Sequence, residues 1–492
     1  MSATYLPWNQ GQTFLLPPSP DDWLPKDHLA RFVLEVAERL DLSAIYDEIE
    51  AERAPQGRSN YPPRLMVALL LYAYMTGTMS SRQIERKSHE DIGYRYLCGN
   101  LHPSYRTIAE FRRRHLANLG GLFEQTVHLC AAAGLVDLEL VAIDGTKILA
   151  NASKRKAMSY GRMQKESERL KRKITDLLSE AERIDALEDA EYADRDALPR
   201  VRAELNDAKA RRDFIDKHMS ALEEEARRAR AEALRTQAER LEQRASAVDS
   251  TDPIEAKRKR TGAGKRRAKA DDLDDDPPPP SSPTDVPSSK PQVTPDGVPK
   301  PKAQRNFTDP DSKIMVHDGS FVQAYNAQAA VDGRHQIIVA QAVGNAVPDT
   351  YYFKPMVRRI AKTMGRAPSE AVADAGYWSE ANEVVHDLPA TDVFIAVGRM
   401  AHGPAPPPSV PASALEGPRA RMKAKTESEE GRKKLLKRRV TAEPPFGHIK
   451  EHRRFRRFSM RGLEKVRGEW AFVAAVHNLV KLFSHGPQVQ RV

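Results

Sequence analysis

Three acidic residues stand in settings where they could do chemistry. Asp144 ends the apolar run Leu140-Val141-Ala142-Ile143 and is followed by Gly145. Asp374 ends a second short run, Glu370-Ala371-Val372-Ala373, ahead of Ala375-Gly376-Tyr377. Glu443 lies between Arg439 and Lys450, four residues after the first and seven before the second. A buried strand that ends in an acid delivers one carboxylate to the rim of a sheet. Carboxylates from separate elements suit a hard cation such as Mg²⁺, which prefers octahedral oxygen coordination. Two such ions, roughly 3.5–4 Å apart, activate an attacking water or 3′-hydroxyl and stabilise the leaving oxygen in phosphoryl transfer. That chemistry needs no cysteine or serine nucleophile. Each acid also has a plainer reading. An Asp before Gly commonly forms a turn, as Asp332 before Gly333 is read to do, and Glu443 could be a charge in a helix's first turn.

Cations follow the third acid closely. Arg453, Arg454, Arg456, Arg457 and Arg461 interleave with Phe455 and Phe458. This is a basic face with an apolar underside, suited to a DNA backbone, although a merely solvated face has the same pattern. Arg112-Arg113-Arg114 raises the same pair of alternatives, the sharper being phosphate contact by a helix-turn-helix-like pair.

The totals agree with a nucleic-acid partner without requiring one. A chain of 492 residues exceeds a single core, so two to four units are expected. A net charge of +10 favours a polyanion. Two cysteines, Cys98 and Cys130, give neither a disulfide framework nor zinc spacing, which points to a reducing compartment. The N-terminus lacks a signal-peptide layout. The longest apolar run, Leu65 to Met75, is far short of the roughly 20 residues of a bilayer span. The expected location is the cytoplasm, associated with the nucleoid and with no membrane partner.

The elements that must position these residues can be read in order. Residues 1–135 form an all-α N-terminal domain for DNA-end binding or dimerisation. It contains an amphipathic helix from Asp27 to Val36 and a helix opened by Pro62-Pro63 that is apolar nearly all round. Capping boxes at Ser80/Gln83 and Thr107/Glu110 start two more helices. Residues 136–158 carry the first strand. Over residues 159–250, Leu170, Ile174, Leu177, Ala181 and Ile184 repeat in steps of four and three, as do Leu198, Val201, Leu205, Ala208, Arg212, Ile215, Met219 and Leu222. This heptad spacing predicts a coiled-coil insertion, two long helices folded back near 190–198. Residues 251–305, with basic clusters and the Pro277–Pro280 run, read as a disordered basic, Pro-rich linker. Residues 306–485 resume regular structure. They hold a strand over 321–333 and a hairpin partner over 336–340, then a helix capped by Asp349. The strand ending in Asp374 follows, then a short helix from Ser379 and a strand over 393–397. A Pro-rich loop (402–418) and a last helix from Leu463 to Phe483 close the domain, leaving 486–492 as a tail. The order implies a mixed five-stranded sheet, part meander and part parallel. If the strands bearing Asp144 and Asp374 are neighbours, their carboxyl ends converge where α/β sheets place their sites.

Taken together these stretches resemble the DDE transposases of bacterial insertion sequences, in the branch that joins an InsH-type N-terminal domain to an RNase H-like catalytic domain. The motifs that carry the resemblance are Asp21-Asp22-Trp23-Leu24-Pro25, Ser80-Ser81-Arg82-Gln83-Ile84-Glu85 and the run Thr107 to His115. Further on they are Ile143-Asp144-Gly145-Thr146-Lys147, Asn151-Ala152-Ser153-Lys154, Tyr325 to Asp332 and Ala373-Asp374-Ala375-Gly376-Tyr377. Glu443 to Lys450 and Arg461 to Trp470 complete the set. The resemblance spans nearly the whole chain except the linker. It implies that Asp144, Asp374 and Glu443 form the catalytic, metal-holding triad. It implies two Mg²⁺ or Mn²⁺ ions, cleavage of double-stranded DNA at the element's terminal inverted repeats, and strand transfer into target DNA by a homodimer. Arg439, Glu443 and Lys450 fit the Tyr-x2-Arg-x3-Glu-x6-Lys spacing of related transposases, but Leu436 holds the tyrosine position. The residues expected to face DNA are Arg439, Lys450, Lys147, Arg453, Arg454, Arg457, Arg112 and Arg113. Pro444 directly after Glu443 predicts a helix start or kink there, since a residue before proline avoids the α region. A catalytically inactive DNA-binding relative is the alternative.

Overall fold

The computed structural model describes residues 20–51, 61–188, 197–274, 285–286, 288–383, 390–398 and 417–486. All but the first residue of the expected tail (486–492) and most of the Pro-rich loop (402–418) fall outside the described residues.

The N-terminal unit is helical: α1 (Leu29–Arg39), α2 (Ser43–Ala51), α3 (Pro63–Met75), α4 (Ser81–Glu90), α5 (Ile92–Leu97), α6 (Tyr105–Arg114) and α7 (Leu116–Ala132). Helix α3 is apolar on every side because every side is covered, and it is buried from Met66 to Met75. The cap of α6 lies one turn earlier than the sequence pattern suggests. Ser104 Oγ accepts the amide of Thr107 at 3.2 Å, and Glu110 pairs with Arg113 instead of closing a box. Ser80 does precede α4, but its side chain makes no capping hydrogen bond.

The sheet begins with β1 (Leu140–Leu149), longer than the expected strand because it runs on past Asp144. A short strand β2 (Ala157–Ser159) then leads into α8 (Tyr160–Glu188), α9 (Ala197–Val248) and α10 (Pro253–Leu273), and the chain returns through β3 (Gln304–Asn306). Strands β2 and β3 pair antiparallel, Ala157 opposite Asn306, so the insertion leaves and re-enters through one ribbon. Helices α8 and α9 run antiparallel, with Tyr160 bonded to Glu223 and Lys173 paired with Glu204. Leu170, Ala208 and Ile215 of the heptad positions lie in their interface.

Helix α10 corrects the expectation of a linker over 251–305. It is capped by Asp252, whose carboxylate accepts the amides of Ile254 and Glu255, and has Pro253 at its first position. It folds back along α9 through Ala256, Ala263 and Ala270, which are fully buried, as are Ala231, Ala238 and Ala245 of α9. Both triplets recur every seven residues, so the two backbones can approach closely. Arg260–Asp249, Arg267–Glu242 and Arg235–Asp271 pairs flank the seam.

Beyond the insertion come β4 (Lys313–His317), β5 (Ser320–Asp332), β6 (Ile338–Gly344), α11 (Phe353–Met364), β7 (Glu370–Ala373), α12 (Glu380–Glu383) and β8 (Asp392–Ile395). Among the described residues six strands form the sheet, where five were expected. The additional one, β4, is a short edge strand that pairs with the start of β5. The path β4-β5-β1-β7-β8 places β1 between antiparallel β5 and parallel β7. Asp332 ends β5 as a turn residue. Its carboxylate accepts the amides of Arg334 and of Leu138, tying the hairpin to the start of β1.

The chain closes with α13 (Pro418–Glu427), α14 (Glu429–Gly447), a π-helical turn (His448–His452) and α15 (Leu463–His485). Helix α14 does not start or break at Glu443. It continues through Pro444 and Pro445. Pro444 has no amide for the carbonyl of Val440, and the side chain of Gln336 donates to that carbonyl instead at 2.9 Å. Phe446 stacks on the buried Trp470 and holds the helix end down. Helix α15 joins the two halves of the molecule. Trp470 Nε1 donates to the Gln328 carbonyl of β5, and Asn478 brackets Ile338 of β6 with hydrogen bonds to its amide and carbonyl. On its other side it packs along α7, where Gly468 lies against Leu116. A methyl group on Gly468 would come within 2.9 Å of the Leu116 carbonyl oxygen.

Candidate functional site

Asp144 and Asp374 meet at the carboxyl edge of the parallel pair. The β1–β7 register runs from Leu140 opposite Glu370 to Ile143 opposite Ala373. The next residue along each chain segment is the acid, Asp144 within β1 and Asp374 just past β7 and still extended. Strand alternation therefore sends both side chains to the same face, from backbones about 4.8 Å apart. The strands reach this point because Val141, Ala142, Ile143, Ala371, Val372 and Ala373 are fully buried.

The two carboxylates differ in surroundings. Asp144 is largely buried; one oxygen accepts the Gly145 amide at 2.8 Å and the other accepts Arg438 Nη1 at 2.8 Å. Burial pushes its pKa up to about 6; Arg438 opposes the rise and Asp374 adds to it. Asp374 caps the turn Ala375–Tyr377, accepting the amide of Gly376 at 2.8 Å.

Glu443 does not join them in this structure. Helix α14 lies on the sheet through Leu435, which packs with Leu140, Val372 and Phe394, and Lys434 pairs with Glu370 at 2.7 Å. Ala442 and Pro445 are also buried, so residue 438 shares the inward face. Arg438 therefore meets Asp144, while Glu443 points to solvent and lies 3.6 Å from Arg439, both being more than half exposed. Among the described residues no group of three His, Cys, Asp or Glu side chains is arranged to hold a metal ion. The donor chemistry of Asp144 and Asp374 fits two ligands of a hard cation. A guanidinium occupies the cationic place beside Asp144.

On the opposite face of the sheet a polar network backs this edge. Tyr377, fully buried, donates its hydroxyl to Gln328 Oε1. Gln328 Nε2 donates to Asn326 Oδ1 at 2.9 Å and to Asp349 Oδ1 at 3.1 Å. Asp349 Oδ1 also accepts from Asn326 at 2.7 Å and from Lys147 Nζ at 3.0 Å. Burial, then the charges of Asp349, Asp144 and Asp374, hold the Tyr377 phenol well above its ordinary pKa. Gly376 is needed where these parts meet. A Cβ there would lie 3.0 Å from Asp374 Oδ1 and 3.4 Å from Asp349 Oδ2.

The residues expected to face DNA divide by burial. Arg112 is interior, donating to Tyr74, to the Met79 carbonyl at 2.8 Å and toward Ser81, so it braces the N-terminal core and is removed from the DNA-facing set. Arg113 is exposed and paired with Glu110. Arg453 is 3% exposed, and burial brings its pKa down to about 10, so it too is removed from the DNA-facing set. Arg454 and Arg457 are exposed, with Phe455 and Phe458 buried beneath them. This segment is extended, and Phe458 N bonds the carbonyl of Leu149 at the end of β1 at 2.9 Å. Lys450 is half-buried and close enough to Lys147 for that charge to lower its pKa; burial is the larger cause.

Sequence reading missed Arg438 and Asp349. Extending the inward positions Leu435 and Ala442 by helical steps would have singled out Arg438. Asp349 carried no such signal, because its pattern is that of a helix-capping residue and its partners come from two other strands.

Residues 18–114 match the family described as Transposase domain (DUF772), and residues 410–483 match the Transposase DDE domain. The first match covers α1 to α6. The second covers α13 to α15 with Glu443, and stops short of the strands that carry Asp144 and Asp374. No curated protein and no solved structure matches the chain.

Proposed function

We propose that the chain, with a transposase domain near one end and a transposase DDE domain near the other, belongs with the DDE transposases of insertion sequences, and that it cuts DNA at its element's ends and joins them to target DNA. A DDE domain implies an RNase H-like fold, and the mixed sheet with its central β1–β7 pair agrees with one. The observation that carries the reading is the side-by-side placement of Asp144 and Asp374 at the carboxyl edge of that pair.

In this reading Asp144 and Asp374 hold divalent ions, and Glu443 completes the set once α14 turns Arg438 away. Bound Mg²⁺ or Mn²⁺, two ions in the complete site, would lower the pKa of the attacking water or 3′-hydroxyl and stabilise the leaving oxygen. The chain's own part is to fix the two carboxylates by the strand register and to hold the Asp374 turn through Gly376. Arg439, Lys450, Lys147, Arg454, Arg457 and Arg113 form the set that takes DNA phosphates, with Lys147 released from Asp349 as DNA arrives. A homodimer working on double-stranded DNA in the nucleoid is the setting. Nicking of a duplex carrying the element's ends in Mg²⁺ tests this. Wild-type protein is expected to nick, and Asp144→Asn and Asp374→Asn are each expected to lose roughly a hundred- to a thousandfold in rate, the size seen on removing a key charge-stabilising group. Nicking that survives in Asp144→Asn rules the assignment out.

The Arg438–Asp144 pair favours one alternative, a DNA-binding relative that no longer cuts. It predicts end binding with no nicking by the wild-type protein.

A further inference from the structure

A polar cavity of about 430 Å³ lies where the N-terminal helices meet the segment that follows α14. One wall is a single face of α4, with Gln83, Arg86, Lys87 and Glu90 at helical spacing; the other is His452 and Arg454. The two matched domains thus contribute one wall each.

Its charge is unbalanced toward cations. Glu90 is the one acid among these wall residues, and it is already paired with Arg86 at 3.0 Å. Lys87 is held in place by Thr78 Oγ1 at 2.8 Å and by the Tyr94 ring, 5.4 Å from its centroid. An ammonium has three donors, so Lys87 keeps donors for a ligand. Arg454 is exposed and has no acidic partner among the described residues.

The backbone supplies an independent sign. Arg454 sits at φ +60°, a left-handed conformation that an arginine rarely adopts. The π-helical turn before it ends with Arg453 N bonded to His448 O at 3.0 Å, and Phe455 N returns to Ile449 O at 3.0 Å. With Phe455 and Arg453 both anchored inside, this turn directs Arg454 outward to the cavity. Observed strain and π-turns of this kind concentrate at functional sites. Gly77, at φ +71°, makes the turn that brings the chain against Arg453; a Cβ there would be in ordinary contact, 3.5 Å from Arg453 Cα. Lys450, at the same turn, is near Lys147 beside Asp349, so cations continue from the cavity toward the acidic edge.

We propose that this cavity holds one backbone phosphate of DNA, gripped by Lys87 and Arg454 with Gln83 and Thr78 as neutral donors, and that it couples the N-terminal domain to the DNA served by the sheet edge. The inference rests on the transposase reading above. A phosphate held by both domains fixes the register of the duplex without reading its sequence.

The test is binding of a random-sequence duplex to the full chain between about 50 and 200 mM salt, where each phosphate contact contributes about 0.9 to the slope of log K against log salt. Lys87→Gln and Arg454→Asn, the latter chosen because Asn tolerates the left-handed backbone, are each expected to weaken binding about five- to tenfold and to reduce the slope by about 0.9 at most. The double variant is expected to lose little more slope than one contact, because both residues serve one phosphate. Variants that keep wild-type thermal midpoints, affinity and slope overturn the proposal while leaving the transposase reading intact. A wild-type protein that binds no duplex overturns both. If inorganic phosphate raises the wild-type thermal midpoint but not that of the variants, while duplex binding is unchanged in them, the cavity is a free-phosphate site and the DNA assignment fails.

Discussion

At the scale of single residues, the site is set by how one carboxylate is charged. Asp144 has its pKa raised to about 6 from 3.8, so the folded protein binds a proton more tightly than the unfolded chain does. Its contribution to stability is therefore fully present below the unfolded value and is lost as pH rises through about 6. Between about pH 4 and 6 the wild-type protein is expected to lose about 2 kcal/mol that Asp144→Asn does not lose, measured by denaturant unfolding at several pH values. The same proton governs cation uptake. Mn²⁺ affinity, read by titration, is expected to fall steeply below about pH 6 in the wild type. Arg438 is the other partner. Its guanidinium takes the place beside Asp144 that a cation needs, and Arg438→Ala is expected to tighten Mn²⁺ binding about tenfold, the worth of one charge-assisted hydrogen bond. Unchanged affinity in that variant would show that Arg438 does not compete for the place. Asp349 is legible only in three dimensions. Asp349→Ala removes the shared acceptor of Lys147, Asn326 and Gln328, and is expected to cost about 1–3 kcal/mol in unfolding free energy.

At the scale of elements, periodicity was legible and its limits were physical. The apolar runs ending in Asp144 and Asp374 announced buried strands, because only interior strands tolerate continuous Val, Ile and Ala. The insertion's α8–α9 pairing followed from its heptad of large apolar residues. Helix α10 did not, since its seam is made of alanines. Each alanine buries little area, and the lysines and arginines around them make the segment look unable to fold. What holds it is close backbone approach, so Ala263→Leu is expected to destabilise the α9–α10 seam by about 1–3 kcal/mol. Hydrogen exchange over 253–273 is the measurement, with faster exchange there and little change in β1 and β5. Helix α14 was misjudged for a different reason. The local penalty of two consecutive prolines is real, but Gln336 satisfies the stranded Val440 carbonyl and Phe446 is anchored on Trp470. Tertiary contacts outweighed a local preference.

At the scale of the whole molecule, α15 packs against both the N-terminal helices and the sheet. The glycine crossing with α7 lets the N-terminal helices dock against it. Gly468→Val would force the Leu116 backbone away and is expected to lower the thermal midpoint by several degrees, with the loss appearing in both halves at once. Separate transitions for the two halves would show that the crossing does not couple them. By itself the sequence determined that the chain is part helical and part sheet, where its buried apolar runs meet acids, and where its cations gather, because these follow from local periodicity and charge. The tertiary structure alone decided which partners those residues meet. Strand register put Asp144 beside Asp374. Helical phase put Arg438, not Glu443, against them. Burial removed Arg112 and Arg453 from the surface. Each of these depends on contacts between residues far apart in the chain, and a one-dimensional pattern does not carry them.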